Sequence, residues 1–282
     1  KMNLKKALTH EAFELVRTSA DELGQEVYVV GGFVRDYLLG RTQKNDFDFV
    51  VVGSGIDLAN KVHSKAKGAS KLSVFKRFGT AMFKWEDTEL EFVGARRESY
   101  SEDSRKPFVE DGSLEDDQKR RDFTINALAI SLNSETFGEL IDPFNGVEDL
   151  EAKIIRTPLA PDVTYSDDPL RMMRAIRFAA QLDFEIEEKS FQAIKENAKR
   201  IKIVSNERVM DEFHKIMMTD RPSIGLKLLD DANLMQYILP ELVALKGIEE
   251  VEGQRHKDNF YHTLEVVDNV SPHTDNVWLR WA

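Results

Sequence analysis

Residues 29–53 read VVGGFVRDYLLGRTQKNDFDFVVVG, and this stretch decides the fold. Glu26–Val30 is a β-rich run that stops at Gly31-Gly32, and Phe33–Leu39 has helical character up to Gly40. Asp46–Val52 (DFDFVVV) then reads as a strand. Side chains alternate along a strand, so Asp46 and Asp48 share one face while Phe47, Phe49 and Val51 take the other. Two carboxylates about 7 Å apart on one strand face repel each other unless positive charge lies between them. A divalent cation does this, and oxygen-only donors favour magnesium. Taken alone, the pair also fits two solvated aspartates on an exposed strand face.

Glycines 31 and 32 let backbone approach a phosphate closely, and the helix that follows offers free N–H groups and the positive end of its dipole. Arg35 adds charge at that terminus. The spacing is not G-x-G-x-x-G, so a dinucleotide fold is not indicated. Together Gly31, Gly32, Arg35, Asp46 and Asp48 describe a site for a triphosphate and its metals.

Outward from this core, residues 4–23 carry helical periodicity with Gly24 as a stop. Asp57–Lys67 is predicted as helix, and Val74–Phe78, Thr80–Trp85 and Glu89–Val93 as strands. Arg97–Lys119 lacks periodicity and is expected to be a long mobile loop. RRDFTINALAISL (120–132) is predicted to be a helix or strand. From about Val147 the β signals fade. Pro169–Gln181, Glu187–Lys199, Ser205–Met218 and Pro222–Leu229 have apolar residues at i, i+3 and i+4, so the second half is expected to be all-helical. The turn dipeptide Asn145-Gly146 marks the boundary.

The 282 residues suit one large domain or two smaller ones. There is no cysteine, which excludes disulfides, cysteine-ligated metals and thiol catalysis and fits a reducing cytoplasm. No window approaches the length and apolarity of a membrane span, and Lys1–Leu8 has no signal-peptide core. A net charge of −11 argues against a protein that coats nucleic acid everywhere, while leaving room for a local basic groove.

The 29–53 stretch resembles the first motif of the class II tRNA nucleotidyltransferase and poly(A) polymerase family, within the polymerase-β-like superfamily. RRDFTINALAI (120–130), DDPLRMMRAIRF (167–178) and ERVMDEFHKIM (207–217) resemble its later motifs in the same order. The resemblance implies an α+β fold: a polymerase-β-like head (1–146, a mixed β-sheet with helices), a helical neck (147–220) and a helical body (221–282). It implies that Asp46 and Asp48 bind two Mg2+ ions, with Glu91 as a third catalytic carboxylate. Glu89 has the same strand parity, so spacing alone does not choose between them. Gly31, Gly32, Arg35, Arg121, Asp122, Asn126, Asp168, Arg171, Arg174 and Arg177 would bind the nucleotide.

Asp168 and Arg171, three apart, are expected on one helix face. A carboxylate accepts and a guanidinium donates. Cytosine shows N4–H beside N3 and adenine shows N6–H beside N1, so the pair complements both. Uracil and guanine reverse the order, and a buried unpaired polar group costs about 1–3 kcal/mol. The pair thus accounts for selection of CTP and ATP without a template. On bare spacing, an ordinary helical salt bridge explains it as well. The family most often has Glu where this chain has Asp167, which keeps the charge and shortens the reach.

Lys195, Lys199, Arg200, Lys202 and Arg208 form a basic cluster suited to the tRNA acceptor end or to a solvated helix face. The acidic segment 98–119 resembles the family's flexible loop. RHKDNFYHTLEVVDNV (255–270) resembles the opening helix of an HD-type metal domain, but no further His-Asp pair follows, so His256 and His262 are assigned no metal and the chain reads as truncated. The expected reaction is addition of C, C and A to the 3′ end of tRNA. Poly(A) polymerase or A-only addition is the alternative within the family, and a non-catalytic RNA- or nucleotide-binding module the alternative outside it.

Overall fold

A computed structural model describes residues 2–41, 45–99, 108–246, 250–251, 254–255 and 259–282. The chain divides into two compact units, Lys1–Glu151 and Ala152–Ala282.

The first unit is built on strands β1 (Glu26–Val30), β2 (Asp46–Val52), β3 (Ser73–Phe75), β4 (Thr80–Trp85) and β5 (Thr88–Gly94). Strands β6 (Arg96–Ser99) and β7 (Phe108–Asp111) pair with each other, while β8 (Ala129–Ser131) and β9 (Leu140–Ile141) complete the main sheet. Its order is β3-β4-β5-β2-β1-β8-β9. Only the central β2–β5 pair is parallel; the other neighbours run antiparallel.

The sheet's two faces follow from strand parity. Phe47, Phe49, Leu90, Phe92, Ala81 and Phe83 are buried on one face, under helices α1 (Glu11–Leu23) and α3 (Gly55–Lys65). Phe47 lies 4.6 Å from Phe13 and 5.1 Å from Phe33, ring centre to ring centre, with Phe33 on the intervening helix α2 (Gly32–Leu38). Such rings add edge-to-face attraction to their burial. The other face is split. Val30, Val50 and Ala129 are covered there with Leu114 of α4 (Leu114–Lys119), while Asp46 and Asp48 stay exposed.

The region 97–119 differs from the expected loop. Its described part holds β6, β7 and α4, and Ser113 and Asp116 cap α4 reciprocally. Residues 100–107, within the loop expectation, lie outside the described residues. The predicted helix over 4–23 is split, because the His10 ring accepts the Ala12 N–H at 3.0 Å and so starts α1 afresh. Gly24 ends α1 in the left-handed region, at φ 65°. The strand predicted over 74–78 turns into a 3-10 turn at Lys76–Phe78. Residues 120–132 give neither one helix nor one strand but a 3-10 turn, Thr124–Asn126, followed by β8.

Helix α5 (Gly146–Ala152) closes the first unit. The second unit contains α6 (Pro161–Asp167), α7 (Leu170–Leu182), α8 (Glu188–Asn197), α9 (Asn206–Met217), α10 (Pro222–Asp231) and two short helices before α11 (Asn259–Val270) and α12 (Val277–Trp281). It is not purely helical. A two-residue parallel pair, Ile154–Ile155 with Glu185–Ile186, ties its first residues to the end of α7. Its core is Met172, Met173 and Ile176 of α7 with Phe213 and Ile216 of α9.

Candidate active site

Register places the carboxylates. Asp48 stands opposite Glu91, and Asp46 opposite Glu89, across the parallel pair. Glu91 is the one whose side chain hydrogen-bonds Asp48. Asp48 reaches solvent at its edge, yet the surrounding protein strips water from its carboxyl and raises it above the usual carboxylate range. The positive charge of Arg121 opposes that shift, and Asp46 and Glu89 reinforce it. Glu91 is raised as well, by burial first and then by the charge of Asp48.

The glycine turn forms its wall. Gly31 has φ 76° and ψ −136°, which few residues with a Cβ adopt, and it precedes α2. A Cβ there would lie 3.8 Å from Arg121 Nη1 and 3.9 Å from Asp48 Oδ2. A Cβ on Gly32 would lie 3.4 Å from Arg35 Nη2. Gly31 thus adjoins Asp48 and Arg121, and Gly32 adjoins Arg35 in the same turn.

The cations are held from behind. Arg35 donates to Asn126 Oδ1 at 2.7 Å and to Asp36 at 3.0 Å. Asn126 in turn donates to Asp122 Oδ1 at 3.1 Å, and the same oxygen accepts the Phe123 N–H at 2.7 Å. Asp122 and Asn126 are buried, so the structure sets them as supports of Arg35. Asp117, fully buried, accepts from Arg120 at 2.8 Å and from Arg121 at 3.0 Å. Sequence reasoning missed Asp117; its i, i+4 spacing to Arg121 was the available signal.

Among the described residues, no three His, Asp or Glu side chains form a ready-made metal cage. Magnesium seldom needs one: it binds through one or two carboxylates, retained waters and substrate phosphates. The exposed oxygen-only pair Asp46 and Asp48, beside the Gly31 turn, fits that donor set.

In the second unit the structure corrects the expectation for Asp168. It is not on a helix with Arg171. Its φ of −139° and ψ of 97° end α6, and α7 begins after Pro169. One Asp168 oxygen accepts the Leu170 N–H at 3.2 Å; the other faces Arg208 at 3.6 Å. Arg171 Nη1 donates to Thr164 O at 3.2 Å from the first turn of α7. Asp168 and Arg171 are partly exposed, and Asp167 is exposed.

Arg177 also departs from expectation. Its guanidinium is buried, donates to Glu212 and to Gln181 Oε1, and lies 4.2 Å over the Phe178 ring. Arg174 faces the same Glu212 at 3.8 Å and retains one third of its side-chain exposure. Lys195, Lys199, Arg200, Lys202 and Arg208 are all exposed. Arg200 donates to Ser166 O at 2.7 Å, so with Arg208 it brackets the end of α6. His256 lies outside the described residues, and His262 is on α11.

The sequence compares directly with known proteins. Residues 27–156 match the family described as "Poly A polymerase head domain", and residues 183–245 match "Probable RNA and SrmB- binding site of polymerase A". A solved tRNA nucleotidyltransferase, complexed with a primer tRNA and an incoming ATP analog, superposes with a TM-score of 0.75. It is 34% identical over 94% of this chain and 73% of its own. The chain belongs to the tRNA nucleotidyltransferase and poly(A) polymerase family.

An A-adding tRNA nucleotidyltransferase of Aquifex aeolicus is 43% identical over 69% of this chain and 23% of its own length. A CCA-adding enzyme of Lactobacillus helveticus is 37% identical over 89% of this chain and 59% of its own length. The chain thus spans less than two thirds of these curated relatives. As a family member it has the expected polymerase-β-like head, and no described helix is long and apolar enough to cross a membrane.

Proposed function

We propose that this nucleotidyltransferase chain adds C, C and A from CTP and ATP to the 3′ end of tRNA, releasing pyrophosphate. The observation that carries the reading is that Asp48 and Arg121 adjoin Gly31 at the start of α2, with Gly32 and Arg35 in the same turn and Asp46 and Glu91 alongside in register. Asp46 and Asp48 would hold Mg2+ ions, which when bound lower the pKa of the RNA 3′-hydroxyl and offset charge on the phosphates. The α2 N-terminus, Arg35 and Arg121 bind and orient the triphosphate. The RNA 3′-oxygen attacks the α-phosphorus, the bond to pyrophosphate breaks, and Glu91 or Asp48 is placed to take the hydroxyl proton.

Asp168 and Arg171 remain the acceptor and donor suited to the edges of cytosine and adenine. Their separation at the α6–α7 break means that the nucleotide competes with Arg208 for Asp168. The exposed Lys195, Lys199, Arg200, Lys202 and Arg208 suit the phosphates of the acceptor end. We divide the second unit at residue 220 into neck and body on the same reading.

A-only addition is a second reading, favoured by the A-adding enzyme of Aquifex aeolicus at 43% identity. Extension of a tRNA lacking its 3′ end, with Mg2+ and single or paired nucleotides, separates the two. C, C, then A and a stop supports the proposal. A added only after a preformed CC supports the second reading, and open-ended A addition assigns poly(A) synthesis. No incorporation by a folded, RNA-binding chain moves these residues to the non-catalytic RNA-binding reading, and extension is then repeated with a chain of the relatives' full length.

A further inference from the structure

The catalytic unit carries a charged surface that the nucleotide site does not use. Between Asp57 and Glu86 the sequence has no acidic residue and seven lysines and arginines, in a chain of net charge −11. Two of these, Lys61 and Lys65, pair with Glu22 at 3.3 and 2.8 Å. Lys67, Lys71, Lys76, Arg77 and Lys84 are exposed, and among the described residues no carboxylate pairs with them.

These five cations flank the outermost strand of the sheet. Lys84 N–H donates to Ser70 Oγ at 2.8 Å and the Trp85 indole donates to Lys67 O at 3.1 Å, which gathers Lys67, Lys71 and Lys84 at one end. Lys76 and Arg77 form the 3-10 turn at the other end. Between and beside them Phe75 is 46% exposed and Phe78 is 54% exposed, with the Arg77 guanidinium 5.8 Å from the Phe78 ring centre.

Register ties this edge to the chemistry. Asp48, Glu91, Met82 and Ser73 stand in one row across β2, β5, β4 and β3, and Phe75, two residues on, shares their face. Three strand spacings place the edge about 14 Å from the Asp48 strand. Unpaired cations with exposed aromatic rings match a ligand that offers phosphates and accessible base faces together. A single-stranded RNA offers both; a duplex hides its bases in the stack.

We propose that β3 and the Lys76–Phe78 turn form a single-stranded RNA track that leads away from the catalytic carboxylates on the same sheet face. Its cations contact RNA phosphates and Phe75 and Phe78 stack on bases. The track rests on the RNA-extending reading above but makes its own binding prediction.

The test is fluorescence anisotropy of the intact chain with a labelled single-stranded RNA and a matched duplex, across a salt series. The substitutions Lys71→Glu, Lys76→Glu and Arg77→Glu together should lower the slope of log affinity against log salt by about 2 for the single strand. Phe75→Ala with Phe78→Ala should weaken the single strand by about 5- to 150-fold for each base that loses its stack. The duplex should change little in the aromatic variant. All five side chains are exposed, and a thermal melt checks that each variant folds. Lysine-to-arginine versions of Lys71 and Lys76 should bind as the parent does.

Unchanged single-strand affinity in both variants overturns the track, as does an equal aromatic effect on the duplex. Competition by an acidic polypeptide as effective as RNA overturns it in favour of a protein partner. Parallel tRNA extension keeps the two readings apart. Extension without edge-dependent binding retains the reaction and removes the track; edge-dependent binding without extension does the reverse.

Discussion

Replacing Glu212 by Gln should destabilise the second unit severely, because Glu212 neutralises a guanidinium that is almost wholly buried. Glu212 is 4% exposed and Arg177 is 8% exposed. Three cations face the one carboxylate: Arg177 in direct hydrogen bond, Lys215 at 3.6 Å and Arg174 at 3.8 Å. The amide keeps the volume and an acceptor oxygen but removes the carboxylate charge that faces Arg177. Gln181, at 3.1 Å, and the Phe178 ring are neutral and offset it only in part. Breaking a buried ion pair from one side costs about 3–5 kcal/mol. At about 2–4 °C per kcal/mol, the melting temperature should fall by about 6–20 °C. Calorimetry or circular dichroism reads this directly. The double change Arg177→Met with Glu212→Leu, which removes both charges, should recover most of the loss. A fall below about 1 kcal/mol for Glu212→Gln, or a double variant as unstable as the single, would refute the argument that Arg177 is committed to this pair.

Other perturbations address the first unit. Asp48→Asn should abolish nucleotide incorporation yet raise the melting temperature of the metal-free protein at neutral pH. The sign follows from the raised carboxyls of Asp48 and Glu91: the fold favours their protonated forms, so that contribution is present in acid and lost as pH rises through the carboxylate range. A variant as pH-sensitive as the parent from the ordinary carboxylate range upward would contradict this. Gly31→Ala should cost about 1–3 kcal/mol through backbone strain at φ 76° and raise the KM for nucleotide, since its Cβ faces Asp48 and Arg121; steady-state kinetics and a melt check both. Tyr28, whose hydroxyl burial pushes up to about 12, favours the neutral phenol in the fold, so stability should fall as pH rises above about 10. Half-burial and solvent screening reduce that loss to about 1 kcal/mol, and Tyr28→Phe should remove it from an alkaline unfolding series.

Much of the first unit was legible because its faces are chemically distinct. DFDFVVV alternates so sharply that strand, parity and carboxylate face follow from the letters alone, and β2 has that span. Gly24 stands where helix α1 must stop, at positive φ. The misreadings also have local causes. Asp168 precedes Pro169, whose ring drives the preceding residue out of the helical region, so the pair could not share a helix face. That signal was in the sequence. Strands β6 and β7 are four residues each, too short for alternation to register. The support of Arg35 by Asn126 and Asp122 spans 91 residues of chain, and no spacing rule reports it. Arg177 looked like the neighbouring, partly exposed Arg171 and Arg174, because its partner Glu212 lies 35 residues away.

The parallel β2–β5 pairing has a consequence for how the chemistry survives mutation. Asp46, Asp48 and Glu91 crowd like charge onto one face and are not what holds their strands in register. Their alignment is set from the reverse side, by Phe47, Phe49, Leu90 and Phe92 beneath α1 and α3. A slip of one residue in β2 would turn both aspartates inward and two phenylalanines out. The core therefore acts as an error check on the active site: a register mistake cannot stay silent, because it exposes aromatic surface as soon as it misplaces a carboxylate. Changes that loosen Phe49 against Phe92, stacked at 4.9 Å, should first show themselves as lost turnover in molecules that still appear folded.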